Sequence, residues 1–360
     1  LNTLLDLSEI NRKIGQLFMI GMPGKSLDED TKRLIGDYNP GGIILFSRNI
    51  SDPLQLARLC RDLQKTSMKY HGNPLFLAVD QEGGRVARLK NPFTVFPGNE
   101  SIGMDEESVG RAREFGMVTA TEMKTVGLNM NLAPVIDVCI GKPEKHLKGR
   151  IFGEDHKAVA LLGETVVKAL QQNGVMAVAK HFPGLGGARI DPHLNLPKID
   201  LDVSKINEVD IPPFKAAIKA GVSGVMTSHA VYSALDPKCP ATLSSTILKG
   251  FLRDKLGFNG LIITDDLEMG AIRKRWGVSE GALSSFRAGA DILLICENQK
   301  YFLEGLALIR EKTLRDQIPT ERLSQSLERI MAVKSKFINT KERILLKNVK
   351  DYFGSRIRKA

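Results

Sequence analysis

The chain is expected to fold as an α/β protein, a (β/α)8 barrel with a short C-terminal basic helical extension. Three observations predict this. Eight short apolar runs recur along the 360 residues, each followed by a longer stretch with helical spacing. The runs are continuous rather than alternating, as expected of strands covered on both faces in a parallel sheet. Several end in polar residues, and in such barrels the strands' C-terminal ends form the mouth where chemistry is done.

In chain order the runs are LFMIGM from Leu17, GGIILF from Gly41, LFLAVD from Leu75 and MNLAPV from Met130, followed by AVAKHF from Ala177, GVMTSH from Gly224, LIITDD from Leu261 and DILLIC from Asp291. Asp80, Lys180 with His181, His229 and the pair Asp265 and Asp266 stand at run ends, so polar groups from distant parts of the chain should converge. The segment PTERLSQSLERIMAVKSKF, with Leu323, Leu327, Ile330 and Met331 at helical spacing, reads as the last barrel helix. Residues 1–335 are therefore expected to form the catalytic barrel, with 336–360 as a basic amphipathic tail packed on or near it.

Such barrels typically need roughly 250 residues, so the chain has room for enlarged loops but not for a second full domain. The formal charge of +10 could suggest nucleic acid, but nine Lys or Arg against two acids from Lys334 onward leave only +3 for everything before. No nucleic-acid partner is expected. A packed helix is the first reading of the tail; contact with an acidic partner or a membrane surface are the others. No apolar run approaches the ~18 residues of a membrane span. The N-terminal stretch lacks the basic, apolar, small-residue order of a secretory signal, so a cytoplasmic location is expected. Cys60, Cys139, Cys239 and Cys296 are widely spaced, which indicates neither a zinc knuckle nor a disulfide scaffold. No cofactor is expected.

The most informative stretch is KHFPGLGGARIDPH, from Lys180 to His193. Pro183 and Gly184 make a common turn, and a lone histidine is more often structural than catalytic. The run ends gathered around it shift the balance towards chemistry. Asp191 and His193 are two residues apart, so the carboxylate can accept from one imidazole nitrogen and fix the tautomer while the other faces a substrate. Asp265 is held rigidly at a strand end, which suits a carboxylate that must act at one position. Of Asp265 and its neighbour Asp266, one should line the site and the other bind backbone or an arginine in the wall, since strand neighbours face opposite sides. A nucleophilic carboxylate with a separate acid/base is the minimal equipment of a retaining glycosidase.

Taken together, VDQEGGRVARL from Val79, APVIDV from Ala133, KHFPG from Lys180, the D-x-H of Asp191 and His193, SHAVYSALDP from Ser228, LGFNGLIITDDLEMGAI from Leu256 and the run from Ala288 resemble the glycoside hydrolase family 3 β-N-acetylglucosaminidases of bacterial cell-wall recycling. The resemblance spans about Gly15 to Lys334. It implies that Asp265 is the nucleophile, that His193 is the acid/base with Asp191 as its partner, and that Asp80, Arg88, Arg150, Lys180 and His181 grip the sugar. It also implies a small carbohydrate substrate, with the single-domain aminosugar branch favoured over the glucosidase branch. Three positions depart from the family pattern: Leu185 stands in place of a histidine, Pro192 in place of a serine, and Ile151 beside Arg150 in place of a serine.

Three alternatives carry different expectations. A histidine acid/base tolerates an anionic acceptor, which makes phosphorolysis a variant of the same site. Leu185 could mark a barrel that binds sugar without cleaving it. His181, His193, His229, Asp191 and Asp265 could instead ligate a metal. Against the last, the first strand lacks the terminal H-x-H of familiar metal-dependent barrels, so no metal is expected.

Overall fold

The computed structural model describes residues 7–141 and 143–357. Eight parallel strands close into a barrel: β1 (Phe18–Gly21), β2 (Gly42–Leu45), β3 (Phe76–Val79), β4 (Met130–Asn131), β5 (Met176–Phe182), β6 (Gly224–Thr227), β7 (Leu261–Asp266) and β8 (Ile292–Ile295). Each pairs with its sequence neighbour, and Phe18 opposite Leu293 joins the last strand to the first. Every one of the eight apolar runs supplies a strand, because unbroken runs of Ile, Leu, Val, Phe and Ala can be buried on both faces.

The shortest strand shows how side chains can replace a ladder. The backbone of β4 pairs over only two residues on each side. The Asn129 amide accepts from Leu77 N at 2.9 Å and donates to Leu75 O at 3.1 Å, and Asn131 makes the same pair of bonds with the Gln81 backbone at 3.0 Å each. These buried amides extend the β3–β4 seam beyond the paired residues, before Pro134 follows.

Outside the ring, Phe302 of the helix Gln299–Leu314 meets Phe18 edge-on at 5.2 Å, and Phe182 meets Phe214 edge-on at 5.1 Å. At the bottom of the barrel, Asp291 takes Arg253, Arg329 and Ser326, a buried charge held by several donors. The last barrel helix runs from Thr320 to Phe337. Leu323 and Ile330 are buried in it as its spacing predicts, but Met331 is exposed and Val333 takes the inward place. The tail forms the helix Leu346–Ile357, which packs on the helix Pro53–His71 with Val349 and Phe353 buried; Phe353 lies 4.7 Å from Phe93, ring to ring. Residues 358–360 of the tail lie outside the described residues. No helix among the described residues is long and apolar enough to cross a membrane.

Candidate active site

The mouth holds two groups of polar side chains. The first is a buried ionic network. Lys180, near the end of β5, donates to Asp80 Oδ1 at 2.8 Å and contacts Glu82 Oε1 at 2.7 Å. Arg150 forks onto both oxygens of Glu82, at 2.7 and 2.8 Å, and its Nη1 also donates to His146 O at 3.2 Å. Arg88 stands 3.5 Å from the second oxygen of Asp80. Burial opposes the charge on Glu82, but the Lys180 ammonium and the Arg150 guanidinium outweigh it and hold its carboxyl far below the usual range. Burial likewise opposes the charge on Lys180, and Asp80 and Glu82 overcome it, so the ammonium persists. With two of its three protons committed, Lys180 keeps one for a ligand.

His181 is buried beside this network. Its Nδ1 pairs with Asp137 Oδ2 at 2.7 Å, while Asp137 Oδ1 accepts the backbone N–H of His181 and of Leu185. Burial alone would raise the Asp137 carboxyl, but the His181 charge and these hydrogen bonds keep it low. The ring of His181 is thereby fixed through one nitrogen and leaves Nε2 for a substrate. Leu185, where the family pattern has a histidine, is buried and contributes its backbone N–H to the site's frame.

The second group is a dyad on a loop. His193 Nδ1 lies 2.6 Å from Asp191 Oδ1, which also accepts the His193 backbone N–H at 2.9 Å. The loop is docked on the segment that follows β7: Gly270 N donates to His193 O at 3.0 Å and Ala271 N to Pro192 O at 3.1 Å. A side chain at Gly270 would place its Cβ 2.5 Å from Leu194 O and 2.7 Å from His193 O, so this approach requires glycine. Pro192, which has no N–H to offer, contributes its carbonyl.

Asp265 and Asp266 take different hydrogen-bond partners at a shift in the β7–β8 register, Asp265 Oδ1 accepting from Asp266 N at 2.8 Å. Asp266 Oδ1 accepts from Glu268 N at 3.0 Å, and its carboxyl is pushed up to about 7 by burial, with the nearby Glu268 and Asp265 charges adding to it. Asp265 is affected by burial in the same direction, yet His229, His181, His193 and Lys180 hold it below the ordinary range. Two adjacent carboxylates thus prefer opposite protonation states at moderately acidic pH. His229, read from the sequence as one of the converging groups, spends both nitrogens on the frame: Nδ1 on Thr242 Oγ1 at 2.7 Å and Nε2 on the Asp266 carbonyl at 3.0 Å.

All eight sequence-predicted site residues lie around this mouth. Asp80, Arg88 and Lys180 meet directly, as do Asp191 and His193, while Arg150 joins the first group only through Glu82. Glu82 and Asp137 were not singled out by sequence reasoning, although both fall inside quoted motifs, VDQEGG and APVIDV. Among the described residues, the grouping of His and acidic side chains close enough to hold an ion is Glu144, His146 and Asp191, which shares only Asp191 with the metal set considered from the sequence.

Residues 9–333 match the family model described as the glycosyl hydrolase family 3 N terminal domain. The β-hexosaminidase A of Pseudoalteromonas piscicida is 34% identical over 345 residues; the alignment covers 90% of this chain but 58% of that protein. The solved family 3 β-N-acetylglucosaminidase of Paenibacillus sp. str. FPU-7 superposes with a TM-score of 0.89 at 34% identity, covering 96% of this chain and 68% of that one. NagZ from Neisseria gonorrhoeae, solved in complex with N-trifluoroacetyl-D-glucosamine, superposes with a TM-score of 0.74 at 29% identity, covering 94% and 97%. With the closed barrel, the carboxylate at the end of β7 and a match across nearly its whole length, the chain belongs to glycosyl hydrolase family 3.

Proposed function

We propose that the protein is a retaining exo-β-N-acetylglucosaminidase that removes terminal β-linked N-acetylglucosamine, drawn from peptidoglycan fragments in the cytoplasm, with residues 1–335 as the catalytic unit and 336–360 as its extension. The observation that carries this reading is Asp265 at a strand end together with a separate Asp191–His193 dyad docked on the same βα segment. A carboxylate with a separate imidazole acid/base fits a two-step displacement at an anomeric carbon.

In the first step an Asp265 oxygen attacks C1, the bond from C1 to the leaving oxygen breaks, and protonated His193 gives its proton to that oxygen. In the second, His193 takes a proton from water, the water oxygen bonds to C1, and the bond to Asp265 breaks; two inversions retain the β-configuration. Asp80 suits two sugar hydroxyls as acceptor, and Lys180, Arg88 and His181 supply donors. Arg150 acts mainly by fixing Glu82 and, through it, Lys180. The aminosugar preference draws support from the named relatives and from the sugar analogue bound in the Neisseria protein.

The test is hydrolysis of an aryl β-N-acetylglucosaminide beside the aryl β-glucoside by wild type and Asp265→Ala. Preference for the aminosugar and a fall of ~10⁴-fold or more in kcat are expected. Near-wild-type turnover by the variant would remove Asp265 from the mechanism, and equal use of both sugars would remove the aminosugar assignment.

A further inference from the structure

We propose that the basic C-terminal extension is a docking surface for an anionic lipid bilayer, with Lys341, Arg343, Lys347 and Lys350 meeting the head groups and Leu345 entering among them. The proposal goes beyond the glycosidase reading and does not depend on it. Lys336 and these four cations are all exposed. The acids that could offset them are few: Glu342 is drawn to Lys124 at 3.6 Å, which leaves the exposed Asp351 alone on the same stretch.

The fold holds these cations in place. Val349 and Phe353 fix the helix Leu346–Ile357 to the barrel, and Lys347 and Lys350, three residues apart, are neighbours on its outer surface. In the connection before it, Ile344 packs on Gly127, while Leu345 is 53% exposed between Arg343 and Lys347. An exposed leucine flanked by cations is the pattern of a segment that lies in a membrane interface. Next to it is a cavity of about 620 Å³, lined in part by Lys336, Lys341, Phe337 and Ile338. Cations beside apolar side chains suit a phosphate head group and the start of its acyl chain.

The apolar component decides between partners. A nucleic-acid backbone answers the charge but offers Leu345 nothing to enter, whereas an anionic leaflet supplies both a charged layer and an apolar one. Each Lys or Arg brought near such a leaflet tightens binding roughly fivefold, so four together give a factor of several hundred within about one Debye length of the surface. None of the residues that build the mouth belongs to this stretch, so docking leaves turnover in place.

The experiment sediments full-length protein with vesicles of phosphatidylcholine alone, or of phosphatidylcholine and phosphatidylglycerol in equal parts, and measures binding to a DNA duplex at the same ionic strength. Wild type should bind the phosphatidylglycerol vesicles and not the neutral ones, and lose at least tenfold in affinity as NaCl rises from about 0.05 to about 0.5 M. The combined variant Lys341→Glu, Arg343→Glu, Lys347→Glu, Lys350→Glu should bind at least ~100-fold more weakly. Leu345→Ser should weaken vesicle binding about threefold or more and leave any DNA binding unchanged. All these side chains are exposed, so both variants should keep wild-type thermal unfolding and aryl aminosugar turnover. No vesicle binding by wild type, equal binding to neutral vesicles, or full binding by the four-charge variant overturns the surface. Tighter binding to DNA than to anionic vesicles, or no effect of Leu345→Ser, overturns the lipid assignment. Absence of turnover by every form would count against the glycosidase reading alone, with thermal unfolding still reporting the fold.

Discussion

The two sides of the mouth are built on opposite principles. On one side Glu82 and Lys180 have 1% and 3% of their side chains exposed and are locked by Arg150 and Asp80 into a network that satisfies their charges. On the other, His193 is 57% exposed, and its loop is held by the side-chain bonds of His193 to Asp191 and of Lys274 to Asn195 and by carbonyls resting on the N–H groups of Gly270 and Ala271. On the proposed reading, a pocket that recognises one sugar in one pose benefits from rigidity. On the same reading, a group that delivers a proton and then retrieves one from water benefits from solvent access and freedom to adjust.

The sharpest way to break this comparison is to neutralise one carboxylate on each side. Asp191→Asn should lower kcat by ~10²–10⁴-fold through loss of the correct tautomer, with stability changed by about 1 kcal/mol or less because the pair is partly exposed. Glu82→Gln should instead cost about 3–5 kcal/mol of stability by leaving Arg150 and Lys180 under-paired, as read by denaturant unfolding. That cost has a pH sign. The Glu82 carboxyl is depressed in the folded state, so its stabilisation is present above the unfolded glutamate value of about 4.3 and is lost as pH falls towards its lower folded value. The gap between variant and wild type should therefore narrow under strong acid; a gap that widened would show that Glu82 is not held ionised.

A smaller effect tests the docking. Gly270→Ala should push the dyad loop away, because the added Cβ meets two backbone carbonyls that cannot rotate aside. Displacement on the scale of 1 Å costs about 10²-fold in kcat. Unaltered kcat would show that the observed docking is not needed for turnover. The smallest effect concerns Asp210, a buried carboxyl with no partner on either oxygen among the described residues, packed under Gly184 and pushed up to about 8 by burial. An acid with a raised folded pKa keeps its proton while the unfolded chain releases its own, so stability declines as pH rises from about 4 towards 8. Asp210→Asn has no such titration. Its Tm should gain on wild type by at least about 2 °C between pH 5 and pH 8.

The ring was legible because each strand is an apolar run of period one, and the dyad because two residues of sequence separation place its members in reach of each other. Glu82 and Asp137 were not, although both lie in recognisable motifs. What a buried carboxylate does depends on which cations reach it, and Arg150 is 68 positions from Glu82 while His181 is 44 from Asp137. His229 illustrates the reverse: its place at a run end suggested chemistry, yet Thr242 and the Asp266 carbonyl occupy both its nitrogens. The inward turn of Val333 in place of Met331 has a simpler origin, since a helix face one residue wide of the expected stripe satisfies the same spacing.

The seam where Phe18 faces Leu293 has a consequence in time. Every group of the mouth, from Asp80 to Asp265, is synthesised before β8 at Ile292–Ile295, which alone joins the two free edges. Lys334 then reaches back 318 positions to Gln16 at 2.8 Å, under the seam. On the ribosome, all the chemistry of the mouth is therefore made before the strand that closes the circle, while two sheet edges are still unpaired.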